Sequence, residues 1–199
     1  MKKTSLAARK TPSKVPREPS EIRFYRANER PFGAFSNLSK RPIVFEGRTY
    51  PTAEHAYQAG KPSKPAVREW ILSAPTPALA AMAAHGLYVW DVVPNWAQIK
   101  FDRMRAVLRA KFDQHDDLKE LLLSTGEARL VEAGTVNNAV NRLWGEVEGK
   151  GQNMLGAMLM ELRSELAHAI GQSGTTTEVR RRSAGEGKKG ATRRSLAVA

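Results

Sequence analysis

The chain has 199 residues, 41% of them hydrophobic, with 32 Lys and Arg against 20 Asp and Glu, a formal net charge of +12 and no cysteine. That length suits one sizeable core with tails, and the missing thiol excludes disulfide frameworks, Cys-ligated zinc, iron–sulfur clusters and cysteine nucleophiles. No run approaches the roughly 18 to 20 apolar residues that span a bilayer, and the basic N-terminus is not followed by the apolar stretch of a secretory signal, so a soluble, cytoplasmic protein with no membrane partner is expected.

The charge is concentrated at the ends. Residues 1–20 hold six basic residues and one acid, and residues 171–199 hold seven and two, so ten of the twelve units sit there. Both ends are rich in Ser, Thr, Pro and Gly and poor in large apolar groups, and burial cannot offset their ordering entropy. They are expected to be disordered basic tails, 1–20 and 171–199, around one domain, 21–170. The functional alternatives to a solvated tail are a nucleic-acid-binding arm, an address signal and, at the N-terminus, a transit peptide.

Within the domain, Ile43 to Tyr50 carries β-branched and aromatic residues around Glu46-Gly47, the pattern of a short hairpin. Pro51-Thr52 opens a helix ending near Gly60. Ser63 precedes another with Val67, Trp70 and Ile71 on one side, and Thr76-Pro77 caps a third that stops at Gly86. Asn95 is placed to cap a longer helix, on which Phe101, Met104, Leu108 and Phe112 form an apolar stripe. Leu118, Leu121 and Leu122 mark another helix, and Leu155, Met158, Leu159, Leu162 and Leu166 a final one. The expected fold class is mainly α, an α+β domain with a small β element near its start.

Three groups of residues could carry chemistry. Helical spacing puts Glu54, Gln58 and, if the turn persists past Gly60, Lys61 on one wall; a solvent face with an ordinary Glu and Lys gives the same spacing, and His55 is offset from it and reads as structural. After Asn95, the residues Trp96, Lys100, Arg103 and Val107 lie opposite much of the apolar stripe, where an indole beside cations could stack a base and hold phosphate; bland packing with exposed cations is the competing account. Asn137 to Gly145 and Gly149 to Gly156 are rich in Gly and amides just before the last helix, a loop that could approach a phosphate or simply connect.

Together these stretches resemble the NADAR superfamily, also called YbiA-like or riboflavin-biosynthesis intermediate N-glycosidases. The resemblance rests on Phe32-Gly33-Ala34-Phe35-Ser36-Asn37, Tyr50-Pro51-Thr52-Ala53-Glu54-His55 through Lys61, Asn95-Trp96, Leu108-Arg109-Ala110-Lys111-Phe112, Leu121 to Thr125, Trp144-Gly145, Gly151 to Gly156 and Leu159 to Arg163, over residues 22–168. It implies a compact, mostly helical domain that cleaves the ribose C1–N bond of a ribosyl phosphate or an ADP-ribosyl group. The substrates would be riboflavin-pathway intermediates or ADP-ribosylated guanine in nucleic acid, with no metal or redox cofactor. If the substrate is polymeric, the tails would offer the nucleic acid an electrostatic handle. Carried over residue by residue, Glu54 is the general acid/base and Lys61 the nucleophile or electrostatic stabiliser. Phe35, Ser36, Asn37, Gln58, Trp96, Lys100, Asn141, Trp144, Gly145 and Asn153 would contact substrate. One departure stands out: Asn141 occupies the position of a family Asp. This leaves three alternatives: a slow enzyme, a substitute carboxylate at Glu146 or Glu148, or a module that binds ADP-ribose or an NAD derivative without cleaving it.

Overall fold

The computed structural model describes residues 20–187, with side chains through residue 172. In chain order the elements are β1 (Glu21–Phe24), β2 (Ile43–Phe45), β3 (Arg48–Tyr50), α1 (Ala53–Gln58), α2 (Pro65–Leu72), α3 (Pro77–His85), α4 (Trp96–Asp113), α5 (Asp116–Leu123), β4 (Arg129–Glu132), α6 (Ala139–Trp144) and α7 (Met154–Gly187). The domain is mainly helical with two small sheets.

The expected hairpin is β2–β3, antiparallel with Ile43 opposite Tyr50. Its turn places Glu46 and Gly47 at φ +50° and +74°, the doubly left-handed geometry that matches strand twist in a two-residue loop. Glu46 is an unfavourable residue there, and its carboxylate accepts from Arg103 Nη1 at 2.9 Å, which ties the hairpin to α4. The second sheet has no local signature. In it β1 and β4 pair in parallel, Ile22 opposite Leu130 and Phe24 opposite Glu132. Ile22, Phe24, Leu130 and Val131 are buried, and the partners lie too far apart in sequence for any periodicity to join them.

Helix α4 runs through the middle. Met104, Leu108 and Phe112 are buried as the stripe requires, and so are Lys111 beside the stripe and Val107 on the flanking face, because α1, α5 and α7 all pack against this helix. The face expected to present Arg103 to a ligand instead serves α1: the Arg103 guanidinium donates to Ala56 O at 2.7 Å and Tyr57 O at 3.1 Å, satisfying carbonyls at the end of that short helix. Thr76 caps α3 by accepting from Leu79 N, as expected. Asn95 precedes α4 at φ +60° with no side-chain cap bond. On α2, Ile71 is buried while Trp70 is 60% exposed.

Helix α7 continues through Gly187, past the domain boundary expected at 170. No proline follows Pro94 to end it. Residues 1–19 and 188–199, most of the first expected tail and the end of the second, lie outside the described residues. No described helix is long and apolar enough to cross a membrane.

Candidate active site

A cleft of about 150 Å³ opens between the segment after β1, the 36–38 loop, α1, the end of α3, β4 and α6. Its chemistry begins at α1. Thr52 accepts from His55 N and starts the helix, and His55 Nδ1 lies 2.8 Å from Thr52 Oγ1, so this buried imidazole is a structural partner of the cap. One residue earlier, Glu54 N donates to Asn37 O at 3.0 Å, which seats the carboxylate beside the 36–38 loop. Gln58, one turn on, donates from Nε2 to Glu54 Oε1 at 2.7 Å.

The 36–38 loop is held from beneath. Lys111, 1% exposed, donates from Nζ to Ala34 O at 2.6 Å, Ser36 O at 2.9 Å and Phe35 O at 3.4 Å. Phe35 itself belongs to the core, edge-on to Phe24 with ring centroids 5.7 Å apart, whereas Ser36 and Asn37 line the cleft. Asn37 Nδ2 donates to Met104 Sδ at 3.2 Å.

The same cleft is lined by a second carboxyl that the motifs did not single out, Glu132 at the end of β4. Burial raises its pKa to about 7, with the Glu54 charge adding to the effect. Glu54 is likewise raised by burial, against the lowering effect of its bond from Gln58. The Tyr57 phenol, which also lines the cleft, is raised by burial and by Glu54, so it stays protonated. With its pKa raised to about 7, the Glu132 carboxyl retains a proton through part of the neutral range.

The glycine-rich loop holds the Glu132 end of β4. Asn153, at φ +50°, accepts from Glu132 N at 3.1 Å and donates to Leu130 O at 2.8 Å. A Cβ on Gly145 would stand 2.2 Å from Glu132 O, so only glycine permits this approach. Asn141 lines the cleft while its Nδ2 donates to Val136 O at 2.7 Å. The expected substitutes do not reach it: Glu146 is buried in ion pairs with Arg129 and Arg23, and Glu148 sits in the turn beyond at φ +52°. A carboxylate at the end of a short apolar strand carries no local signal of catalysis, which is why Glu132 escapes a sequence reading.

The remaining expected residues surround the cleft. Trp144 lines it, edge-on to Tyr57 at 5.6 Å between centroids. Trp96 packs on Tyr57 at 5.4 Å, outside the lining residues. Helix α1 ends at Gln58, so Lys61 leaves the wall and donates from Nζ to Ala84 O at 2.5 Å, next to the lining residue His85. Burial and the Lys100 charge lower the pKa of Lys61, and Lys100 Nζ lies 4.9 Å over the Phe101 ring. No group of three or more potential metal ligands occurs among the described residues.

A helical domain with a carboxyl pair and a protonated phenol in one desolvated cleft has the equipment of an acid/base hydrolase. The chain belongs to the NADAR family, whose domain model matches residues 23–167. It is 44% identical over 147 residues to the N-glycosidase YbiA of Shigella flexneri serotype 5b, covering 73% of this chain and 88% of that protein. A riboflavin biosynthesis protein of Vibrio vulnificus is 33% identical over 146 residues, covering 73% of this chain and 38% of that protein. The NMR structure of the E. coli protein YbiA superposes with a TM-score of 0.68 at 40% identity, over 78% of this chain and 89% of that one.

Proposed function

We propose that the N-glycosidase activity of this chain is directed at the ribose C1–N bond of a ribosyl phosphate, with Glu54 and Glu132 as its acid/base pair. The observation that supports the proposal is the convergence on one cleft of two desolvated carboxyls, Glu54 and Glu132, with the Glu54 charge helping to raise Glu132. As the C1–N bond breaks, its electron pair goes to nitrogen, which takes the proton held by the pair. Positive charge at C1 is met by the ionised partner, and water adds to C1 while giving its proton to a carboxylate. The Tyr57 phenol supplies a neutral donor beside the pair.

Lys61 and Lys100 serve as cations beyond the rim, where the substrate's phosphate faces them. A second reading assigns Lys61 as the nucleophile, because a half-buried amine with a lowered pKa is suited to forming a Schiff base with an opened ribose. The non-catalytic binding role suggested by Asn141 is less favoured, since Glu132 supplies a second carboxyl without an Asp at position 141.

The substrate is proposed to be a riboflavin-pathway ribosylaminopyrimidine phosphate, in keeping with the name of the Vibrio relative; ADP-ribosylated guanine in nucleic acid is the competing class. Incubating the full chain with each substrate, beside Glu54→Gln and Glu132→Gln, tests the proposal. Release of ribose 5-phosphate by wild type and its loss in both variants is expected. Absence of release from either substrate, or equal release by the variants, refutes it.

A further inference from the structure

We propose that Asn37 and Gln58 read the sugar hydroxyls next to the reacting carbon and make the cleft selective for ribosides over 2-deoxyribosides; this rests on the N-glycosidase reading of the same cleft. Both amides line it and are 6% and 2% exposed. Each has its donor engaged, Gln58 Nε2 on Glu54 Oε1 at 2.7 Å and Asn37 Nδ2 on Met104 Sδ at 3.2 Å. Each has its acceptor buried without a partner, Asn37 Oδ1 and Gln58 Oε1. Buried polar atoms are almost always paired, so two orphaned acceptors in one cleft call for a ligand that brings donors.

The donors are not on a phosphate. A phosphate is an acceptor and an anion, and the cleft is lined by two carboxyls and by no Lys or Arg. Sugar hydroxyls have the required chemistry, and the chemistry of the reaction also fixes which ones. Both amides adjoin Glu54, Gln58 through its side chain and Asn37 through its backbone carbonyl, which accepts from Glu54 N at 3.0 Å. A sugar placed with C1 against Glu54 therefore carries its 2-hydroxyl, and the 3-hydroxyl beyond, to these acceptors. A bond to the 2-hydroxyl also strengthens as charge develops at C1, so the selectivity acts on turnover as well as on binding.

The amide orientation supports this direction of recognition. Reversing Gln58 would set its oxygen against Glu54 Oε1, two acceptors face to face, so the carboxylate keeps the nitrogen on its own side and leaves the oxygen free for the ligand.

The test compares a ribosylaminopyrimidine 5-phosphate with its 2-deoxyribosyl counterpart, using the full chain, Gln58→Met and Asn37→Leu. Wild type is expected to favour the riboside by about a hundredfold in kcat/KM, since a site built around a substrate hydroxyl rejects the analogue that lacks it. The variants should lose rate on both substrates, because Gln58 also bonds Glu54, but far more on the riboside, so that the ratio compresses to within a few-fold. Equal rates on the two substrates in wild type, or an uncompressed ratio in both variants, overturns the proposal while leaving the N-glycosidase reading intact. Calorimetry on wild type with ribose 5-phosphate and 2-deoxyribose 5-phosphate needs neither variant nor turnover. Binding at least tenfold tighter for ribose 5-phosphate supports the proposal even if no bond is cleaved, an outcome that refutes only the N-glycosidase reading. Equal affinity overturns the hydroxyl assignment.

Discussion

Glu132→Gln is expected to produce a protein that is more stable at neutral pH and nearly inactive. The folded carboxyl has its pKa raised from 4.5 to about 7, first by burial and then by the Glu54 charge. A raised folded pKa means that the carboxyl's stabilising contribution is fully present below about pH 4.5 and is lost as pH rises through 7. A shift of that size corresponds to about 3 kcal/mol of destabilisation at pH 8 relative to the protonated state. Glutamine has the shape without the charge, so it recovers this, less the cost of any amide donor left unpaired. At roughly 2–4 °C per kcal/mol for a chain of this size, the variant should melt about 6–12 °C above wild type at pH 8, with the gap closing by pH 5. Thermal unfolding at pH 5, 6, 7 and 8, alongside kcat, is the assay. Loss of one member of an acid/base pair should lower kcat by about 10²–10⁴. Equal melting temperatures at pH 8, or a gap independent of pH, would show that Glu132 is not a desolvated, ionising carboxyl and would remove the basis of the proposed pair.

Glu54→Gln should abolish turnover and lower the pKa of Glu132, because one of the two causes that raise it disappears; NMR titration of the Glu132 carboxyl reads the shift directly. Gly145→Ala would force a methyl to within 2.2 Å of Glu132 O, and a denaturant melt should show a loss of about 2 kcal/mol or more together with reduced kcat. Arg103→Met removes the guanidinium donors to Ala56 O, while Tyr57 O keeps its bond from Gly60 N; this should cost about 1–3 kcal/mol and speed hydrogen exchange at the end of α1. Lys61→Met should raise KM for phosphate-bearing substrate by roughly tenfold, as loss of a rim cation would, and borohydride should capture no adduct on wild type; a captured adduct on Lys61 would instead assign it as the nucleophile.

Much of the helical frame was legible because its determinants are local. Thr52 and Thr76 start helices by accepting from amides three residues on, and the stripe from Met104 to Phe112 recurs at helical spacing. The hairpin was legible because Glu46-Gly47 is a two-residue loop between β-prone segments. The Glu54–Gln58 wall was legible for the same reason, since one helical turn separates the two side chains. Lys61 departs from that wall because the helix ends before it, and an extrapolated helix cannot register a turn into the Ala84 carbonyl.

The family, the order of the helices and the position of one of the two proposed acid/base carboxyls are written in neighbouring residues, as motifs and caps. The rest of the candidate site depends on contacts between residues distant in the chain. The β1–β4 pairing carries Glu132 to a cleft whose other carboxyl lies on α1, Gly145 and Asn153 act by holding that strand, and Arg103 and Lys111 spend their charges on carbonyls beneath the cleft rather than on a ligand. Burial sets each of these roles: it raises the two carboxyls, leaves two amide oxygens without partners and turns apparent surface cations into anchors. Burial depends on residues distant in the chain, and no local pattern records it.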